Sequence, residues 1–192
     1  MFGGTFDPIH IGHLLVAQDV AEALELDRVL FVPAGTPPHR PRHEPAPADV
    51  RLRMVESAVA QEPGFQASSM EVRRSGPSYT VDTLAALHEE LPDTELYFLM
   101  GVDQWKALGT WREPETIARL ATLVVMARAG EDLGDAGPSL SGDGRATVKT
   151  VDVTRVDLSA TALRRRIRPG LSLRYRVPDG AHRIIVEEGL YR

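Results

Sequence analysis

A chain of 192 residues, 43% hydrophobic and 26% charged, has the composition of a globular protein long enough to bury a core, and one domain over 1–192 is expected. Its net charge of −5 argues against generic nucleic-acid or anionic-membrane binding, and the absence of cysteine excludes disulfides and thiolate metal sites. No apolar run reaches the ~18 residues that cross a bilayer and no leader pattern opens the sequence, so a cytoplasmic protein is expected.

The sequence begins MFGGTFDPIHIGHL. A glycine turn leads into a helical pattern over 12–24, with Leu14, Ala17, Ala21 and Leu24 on one apolar stripe. A strand of about five residues should precede the glycines, yet only Met1 and Phe2 do. The first strand is therefore expected to be truncated and the natural chain to start upstream. Residues 28–32 form a short apolar run suited to a buried strand, and the proline-rich stretch 33–47 reads as a loop. Asp49 is expected to cap a helix striped by Leu52, Val55 and Val59. A weaker strand over 65–69 follows.

Ser78 is expected to cap a helix over 79–91, with Asp82 in its first turn and Leu84 and Leu87 inward. Residues 95–100 read as an apolar strand ended by Gly101. A helical turn around Asp103, a helix over 113–120 and a β-branched strand over 122–127 come next. Residues 129–145, rich in Gly, Asp, Ser and Ala, read as a mobile loop. A strand over 148–153 leads to Ser159, the cap of a helix whose inner face is Ala160, Leu163 and Ile167 and whose end is Pro169-Gly170. The last helix runs over 178–188, with Gly189 after it. There is neither internal repeat nor linker. Strands alternating with helices predict an α/β fold, a Rossmann-like doubly wound parallel sheet with its ligand outside the carboxyl ends of the strands, where strand order reverses.

Gly3-Gly4-Thr5-Phe6-Asp7 stands between the first strand and the first helix. Glycines there admit backbone N–H groups close to a ligand, and a helix N-terminus adds partial positive charge, so the stretch can cradle phosphate. It is neither a Walker loop nor a G-x-G-x-x-G fingerprint, and on pattern alone such a glycine pair is more often a plain turn. His10 and His13, three apart, share a face near that helix start and suit donors to phosphate oxygens. A zinc pair is the other reading; it needs a third ligand, for which only His39 and His43 in the proline-rich loop offer themselves. Asp7 and Pro8 read as turn formers, and Arg128 as a phosphate contact at the end of a strand. Trp105 reads as packing or surface, and Arg165, Arg166 and Arg168 as solvated charges that complement a helix C-terminus.

Residues 3–14 resemble the (His/Thr)-x-Gly-His motif of the nucleotidyltransferase superfamily. Within it the chain is similar, over nearly its whole length, to the bacterial nicotinate-nucleotide adenylyltransferases. Pro37-Pro38-His39-Arg40, Pro77-Ser78-Tyr79-Thr80, Met100-Gly101-Val102-Asp103, Thr110-Trp111 and Gly189-Leu190-Tyr191-Arg192 match that family's segments. Leu158-Ser159-Ala160-Thr161-Ala162-Leu163-Arg164 matches the second superfamily motif. A second aromatic often stands three residues after the Trp in the family; here that place is Pro114.

The resemblance implies a nucleotidyltransferase-type sheet and transfer of the adenylyl group of ATP to nicotinate mononucleotide, with Mg²⁺ bound through the ATP phosphates and no protein metal site. It implies His10, His13 and Arg164 as catalytic residues. It assigns ATP to Gly3, Gly4, Thr5 and Phe6 through their backbone, to the two histidines, and to Asp103, Ser159, Thr161 and Arg164. It assigns the acceptor to Tyr79, Thr80, Trp111 and Arg112: an aromatic face for the pyridine ring, and donors for its carboxylate at a helix N-terminus. The alternatives are another acceptor, nicotinamide mononucleotide or a pantetheine phosphate, and a nucleotide-binding sensor without turnover.

Overall fold

A computed structural model describes residues 1–38, 44–128 and 146–192, with the side chain of Arg128 outside the description. Among the described residues, six strands form one sheet: β1 (Phe2–Gly4), β2 (Val29–Pro33), β3 (Phe65–Ala67), β4 (Tyr97–Gly101), β5 (Thr122–Arg128) and β6 (Val148–Val153). Their order is β3-β2-β1-β4-β5-β6 and every pairing is parallel. The chain winds outward from β1 in both directions, so the order reverses between β1 and β4. That crevice is where such sheets hold ligands.

Among the described residues, eight α-helices cover the sheet: α1 (Ile11–Ala23), α2 (Ala48–Val59), α3 (Met70–Arg73), α4 (Thr80–Glu90), α5 (Val102–Ala107), α6 (Pro114–Leu120), α7 (Ala160–Ile167) and α8 (Asp179–Glu187). The inner strands β2, β4 and β5 are apolar on both faces because both are covered. Phe31, Leu99, Val124 and Met126 point into one core with Ala17 and Val20 of α1, Met54 and Val55 of α2, Leu163 of α7 and Ile185 of α8. Their alternates Val32, Phe98, Met100, Leu123 and Val125 join Val81 and Leu84 of α4, Trp105 of α5 and Ile117 of α6. Trp105, 8% exposed, is thus core packing.

β1 has three residues, as the short lead-in predicts; it pairs with β2 over three positions and with β4 at Phe2 opposite Leu99. The Met1 amine donates to the Tyr97 carbonyl. Two predicted caps are corrected. Asp49 lies in the first turn of α2, with Pro47 at the cap position. Ser78 is not the cap of α4; Tyr79 holds that position, and the Ser78 hydroxyl accepts the Gly35 N–H at 3.0 Å instead. Ser159 does cap α7, accepting from Ala162 N at 3.2 Å. The short helix α3 was not legible: four residues are too few to show a period.

Candidate active site

The glycine loop leaves the carboxyl end of β1 at the reversal. A Cβ on Gly4 would lie 3.1 Å from the Phe6 ring. Phe6, at φ +47°, buries its side chain beneath the loop, so only its backbone remains for a ligand. The Phe6 ring meets the His13 ring edge-on at 5.1 Å between centroids.

His10 and His13 flank the start of α1. Their rings stack at 3.6 Å, and His13 Nδ1 accepts the His10 backbone N–H at 3.1 Å. That bond leaves the proton of a neutral His13 on Nε2, making Nε2 a donor. Burial lowers the His10 pKa to about 4. Burial first, and then the neighbouring His10, hold His13 well below its ordinary value. Both imidazoles are neutral donors at neutral pH rather than cations. His10 Nδ1 is buried without a hydrogen-bond partner, and a Cβ on Gly12 would sit 3.1 Å from it. Gly12 is the residue that lets the ring lie there.

α1 is fastened to the segments that flank the second motif. Ile11 N donates to Arg176 O at 3.1 Å, and Asp19 Oδ2 accepts from Thr154 N at 2.6 Å. From α7, Arg164 donates to the Asp7 carbonyl at 2.6 Å and lies 3.7 Å from the Asp7 carboxylate. It also donates to Thr161 Oγ1 at 3.2 Å. Asp7, read from sequence as a turn former, is a hub: Oδ1 accepts from Ala46 N at 3.1 Å and from the Tyr191 hydroxyl at 2.6 Å.

On the other side of the glycine loop lies a cavity of about 780 Å³. Gly3, Gly4, Thr5, Tyr79, Thr80, Trp111 and Arg112 all line it, so the structure gathers the residues assigned to the acceptor beside the loop. Trp111 packs against Phe98 at 6.1 Å between centroids, and the Arg112 guanidinium covers the Tyr79 ring at 4.8 Å while pairing with Asp82 at 3.6 Å. The two histidines, Ser159, Thr161 and Arg164 are outside this lining. Asp103 sits exposed in the first turn of α5, also outside it. His39 and His43, the extra ligands a zinc site would need, lie outside the described residues. No group of three His, Asp or Glu side chains able to hold a metal occurs among the described residues.

Gln104 and Glu71 are among the lining residues that sequence reasoning missed. Gln104 Oε1 accepts the Gly101 N–H at 3.1 Å, closing the start of α5. Glu71, 5% exposed, accepts the Thr83 hydroxyl at 2.6 Å, and burial raises its pKa against the pull of Thr83, Arg74 and Ser78. Glu71 sits in a four-residue helix, and no periodic signal marks it.

Two helix starts meeting at the reversal of a parallel sheet, one carrying His-x-x-His, are the arrangement of a nucleotidyltransferase. The chain belongs to the cytidylyltransferase-like family, whose sequence profile matches residues 1–166. It is 45% identical over 192 residues to a probable nicotinate-nucleotide adenylyltransferase of Thermus thermophilus, covering all of this chain and 98% of that one. It is 42% identical over 199 residues to a protein of the same description from Rubrobacter xylanophilus, covering all of this chain and 91% of the relative. The fold matches Plasmodium falciparum nicotinic acid mononucleotide adenylyltransferase complexed with NaAD at a TM-score of 0.79 and 16% identity, over 99% of this chain and 95% of that one. It matches a putative nicotinate-nucleotide adenylyltransferase from Vibrio parahaemolyticus at 0.70 and 18%, over 100% and 93%.

Proposed function

We propose that the protein is a cytoplasmic enzyme that transfers the adenylyl group of ATP to nicotinate mononucleotide, forming nicotinate adenine dinucleotide and pyrophosphate in NAD biosynthesis. The observation that carries this reading is the position of the glycine loop, between an aromatic-walled cavity and a pair of helix starts bearing His10, His13, Ser159 and Arg164. The relatives described as nicotinate-nucleotide adenylyltransferases support it.

A phosphate oxygen of the mononucleotide attacks the α-phosphorus of ATP in line. The bond from that phosphorus to the bridging oxygen breaks, and pyrophosphate leaves with the electron pair. The attacking phosphate is already anionic, so no general base and no covalent enzyme intermediate is required. The chain supplies position and charge. Backbone N–H groups of Gly4 to Phe6 and the Nε2–H of His13 meet the phosphoryl oxygens where charge builds. Arg164, held at a fixed distance by Asp7, and the N-terminus of α7 at Ser159 and Thr161 take the departing phosphates. Mg²⁺ bound through the ATP phosphates would neutralise part of their charge. The described residues offer it no side-chain cage, and no step here runs through it.

In the cavity the pyridine ring lies on Trp111, and its carboxylate meets the start of α4 at Tyr79 and Thr80. An amide in place of the carboxylate carries no charge for that helix start to stabilise, which favours the acid. The test is an acceptor panel: pure protein, ATP and Mg²⁺ with nicotinate mononucleotide, nicotinamide mononucleotide or pantetheine phosphate, read as pyrophosphate release. Release fastest with nicotinate mononucleotide is expected. Fastest release with another acceptor would redirect the substrate, and ATP binding without release from any of the three would make the protein a sensor.

A further inference from the structure

Arg51 is 1% exposed, and sequence gave it no role beyond a place in α2. Its guanidinium donates to three carbonyls from three separate segments: Nε to Ala46 at 2.8 Å, Nη1 to Thr5 at 2.8 Å and Nη2 to Gly35 at 3.1 Å. Thr5 belongs to the phosphate loop after β1, and Gly35 to the connection after β2. The far side of that connection is fixed as well. Gly35 N–H donates to Ser78 Oγ, and Ser78 N–H donates to Thr36 O at 2.8 Å. A Cβ on Gly35 would lie 2.2 Å from the Glu71 carbonyl oxygen, so the segment is pressed against backbone with no room to shift. Ser78 is followed by Tyr79 and Thr80, at the acceptor end of the cavity. A continuous line of bonds thus runs from Thr5 through Arg51 and Gly35 to the start of α4.

Removing a guanidinium from water is costly, and a well-packed apolar side chain often stabilises a core as much or more. Here burial lowers the pKa, and the neighbouring groups that oppose this are Asp7, Tyr191 and Asp49. What an apolar residue cannot do is hold three loops at set distances with one rigid, planar fork. In-line transfer between two bound nucleotides depends on that kind of distance, since a misplacement of about 1 Å can slow a reaction ~100-fold.

We propose that Arg51 is a positioning residue that sets the spacing between the phosphate loop and the acceptor-side start of α4 by bridging Thr5 and Gly35. The inference rests on the two-substrate reading of the site given above. It is tested with R51K, R51M and S78A. Thermal melts establish the folded fraction, and kcat and both KM values are measured from pyrophosphate release. A lysine ammonium cannot span carbonyls from three segments, so R51K is expected to fold yet lose kcat ~10–100-fold with each KM within about threefold of wild type. S78A, which cuts the next link, is expected to lose kcat several-fold. Should R51M fail to fold, R51K and S78A decide. Folded R51K and S78A with kcat within twofold of wild type, or losses confined to KM or matching the unfolded fraction, overturn the proposal. A wild type that releases no pyrophosphate overturns the two-substrate reading and this inference with it; an active wild type with unaffected variants overturns this inference alone.

Discussion

The Tyr191 hydroxyl donates to Asp7 Oδ1 at 2.6 Å, joining two residues 184 positions apart. Asp7 in turn holds Arg164, through its carbonyl at 2.6 Å and its carboxylate at 3.7 Å. Burial, and then Asp7 itself, raise the Tyr191 pKa, so the phenol stays a donor throughout the working range. Tyr191→Phe removes that donor from a buried carboxylate and is expected to cost about 1.5–3 kcal/mol of stability. It should also lower kcat several-fold, because Asp7 then anchors Arg164 less firmly. Denaturant melts and steady-state kinetics check both; an unchanged kcat in Tyr191→Phe would confine the bond to stability.

The two sides of the glycine loop predict different kinetic phenotypes. In the proposed reaction His13 donates to charge that builds only during transfer, so His13→Ala should lower kcat about 100-fold or more while the KM for ATP moves little. In the proposed site Trp111 stacks on the acceptor in ground and transition state alike, so Trp111→Ala should raise the acceptor KM about tenfold at nearly constant kcat. If both variants changed only the KM for ATP, the division of the site into phosphate and acceptor sides would be wrong.

The sequence made the fold legible because its buried strands are short apolar runs and its helices carry single apolar stripes; 148–153 and the Ser159 cap match the structure residue for residue. What it hid are contacts between segments distant in the chain. Asp7 reads locally as half of an Asp-Pro turn, and its bonds to Ala46, Arg164 and Tyr191 exist only once the sheet has formed. Arg51 falls on the apolar face of α2, where a charge looks like a break in the pattern, because its three partners are backbone oxygens that no side-chain motif records. Ser78 has the cap signature of α4 but spends its hydroxyl on Gly35, 43 residues earlier.

Gly35 and Gly101 both stand at carboxyl ends of strands, and the structure separates them. A methyl on Gly35 would overlap the Glu71 carbonyl oxygen at 2.2 Å, backbone against backbone, whereas a methyl on Gly101 meets nothing within 4 Å. Gly35→Ala should therefore destabilise by more than about 2 kcal/mol, by the overpacking route. Gly101→Ala should stay within about 1 kcal/mol of wild type. Parallel chemical melts would decide it; a Gly35→Ala protein as stable as Gly101→Ala would show that the β2 connection can move.

The stacked histidines make stability fall on the acid side. In the unfolded chain His10 and His13 take up protons as pH drops below about 6.5. Folded, burial holds His10 down to about 4 and His13 well below its ordinary value. Between those limits the unfolded state binds more protons, so stability is fully present above pH 6.5 and declines as pH falls toward 4, by up to about 1.4 kcal/mol per pH unit for each histidine. Glu71 acts in the opposite sense, because its raised pKa makes the folded state the better proton binder above its ordinary value. Comparing His10→Gln with wild type isolates the histidine. The fall in Tm from pH 6.5 to 4 should be shallower in the variant, since one titrating group is gone and its neighbour has lost the partner that helps to keep it neutral. Equal slopes would mean that His10 is protonated in the folded protein at the same pH as in the unfolded chain, and the neutral-donor role given to the pair would fail with it.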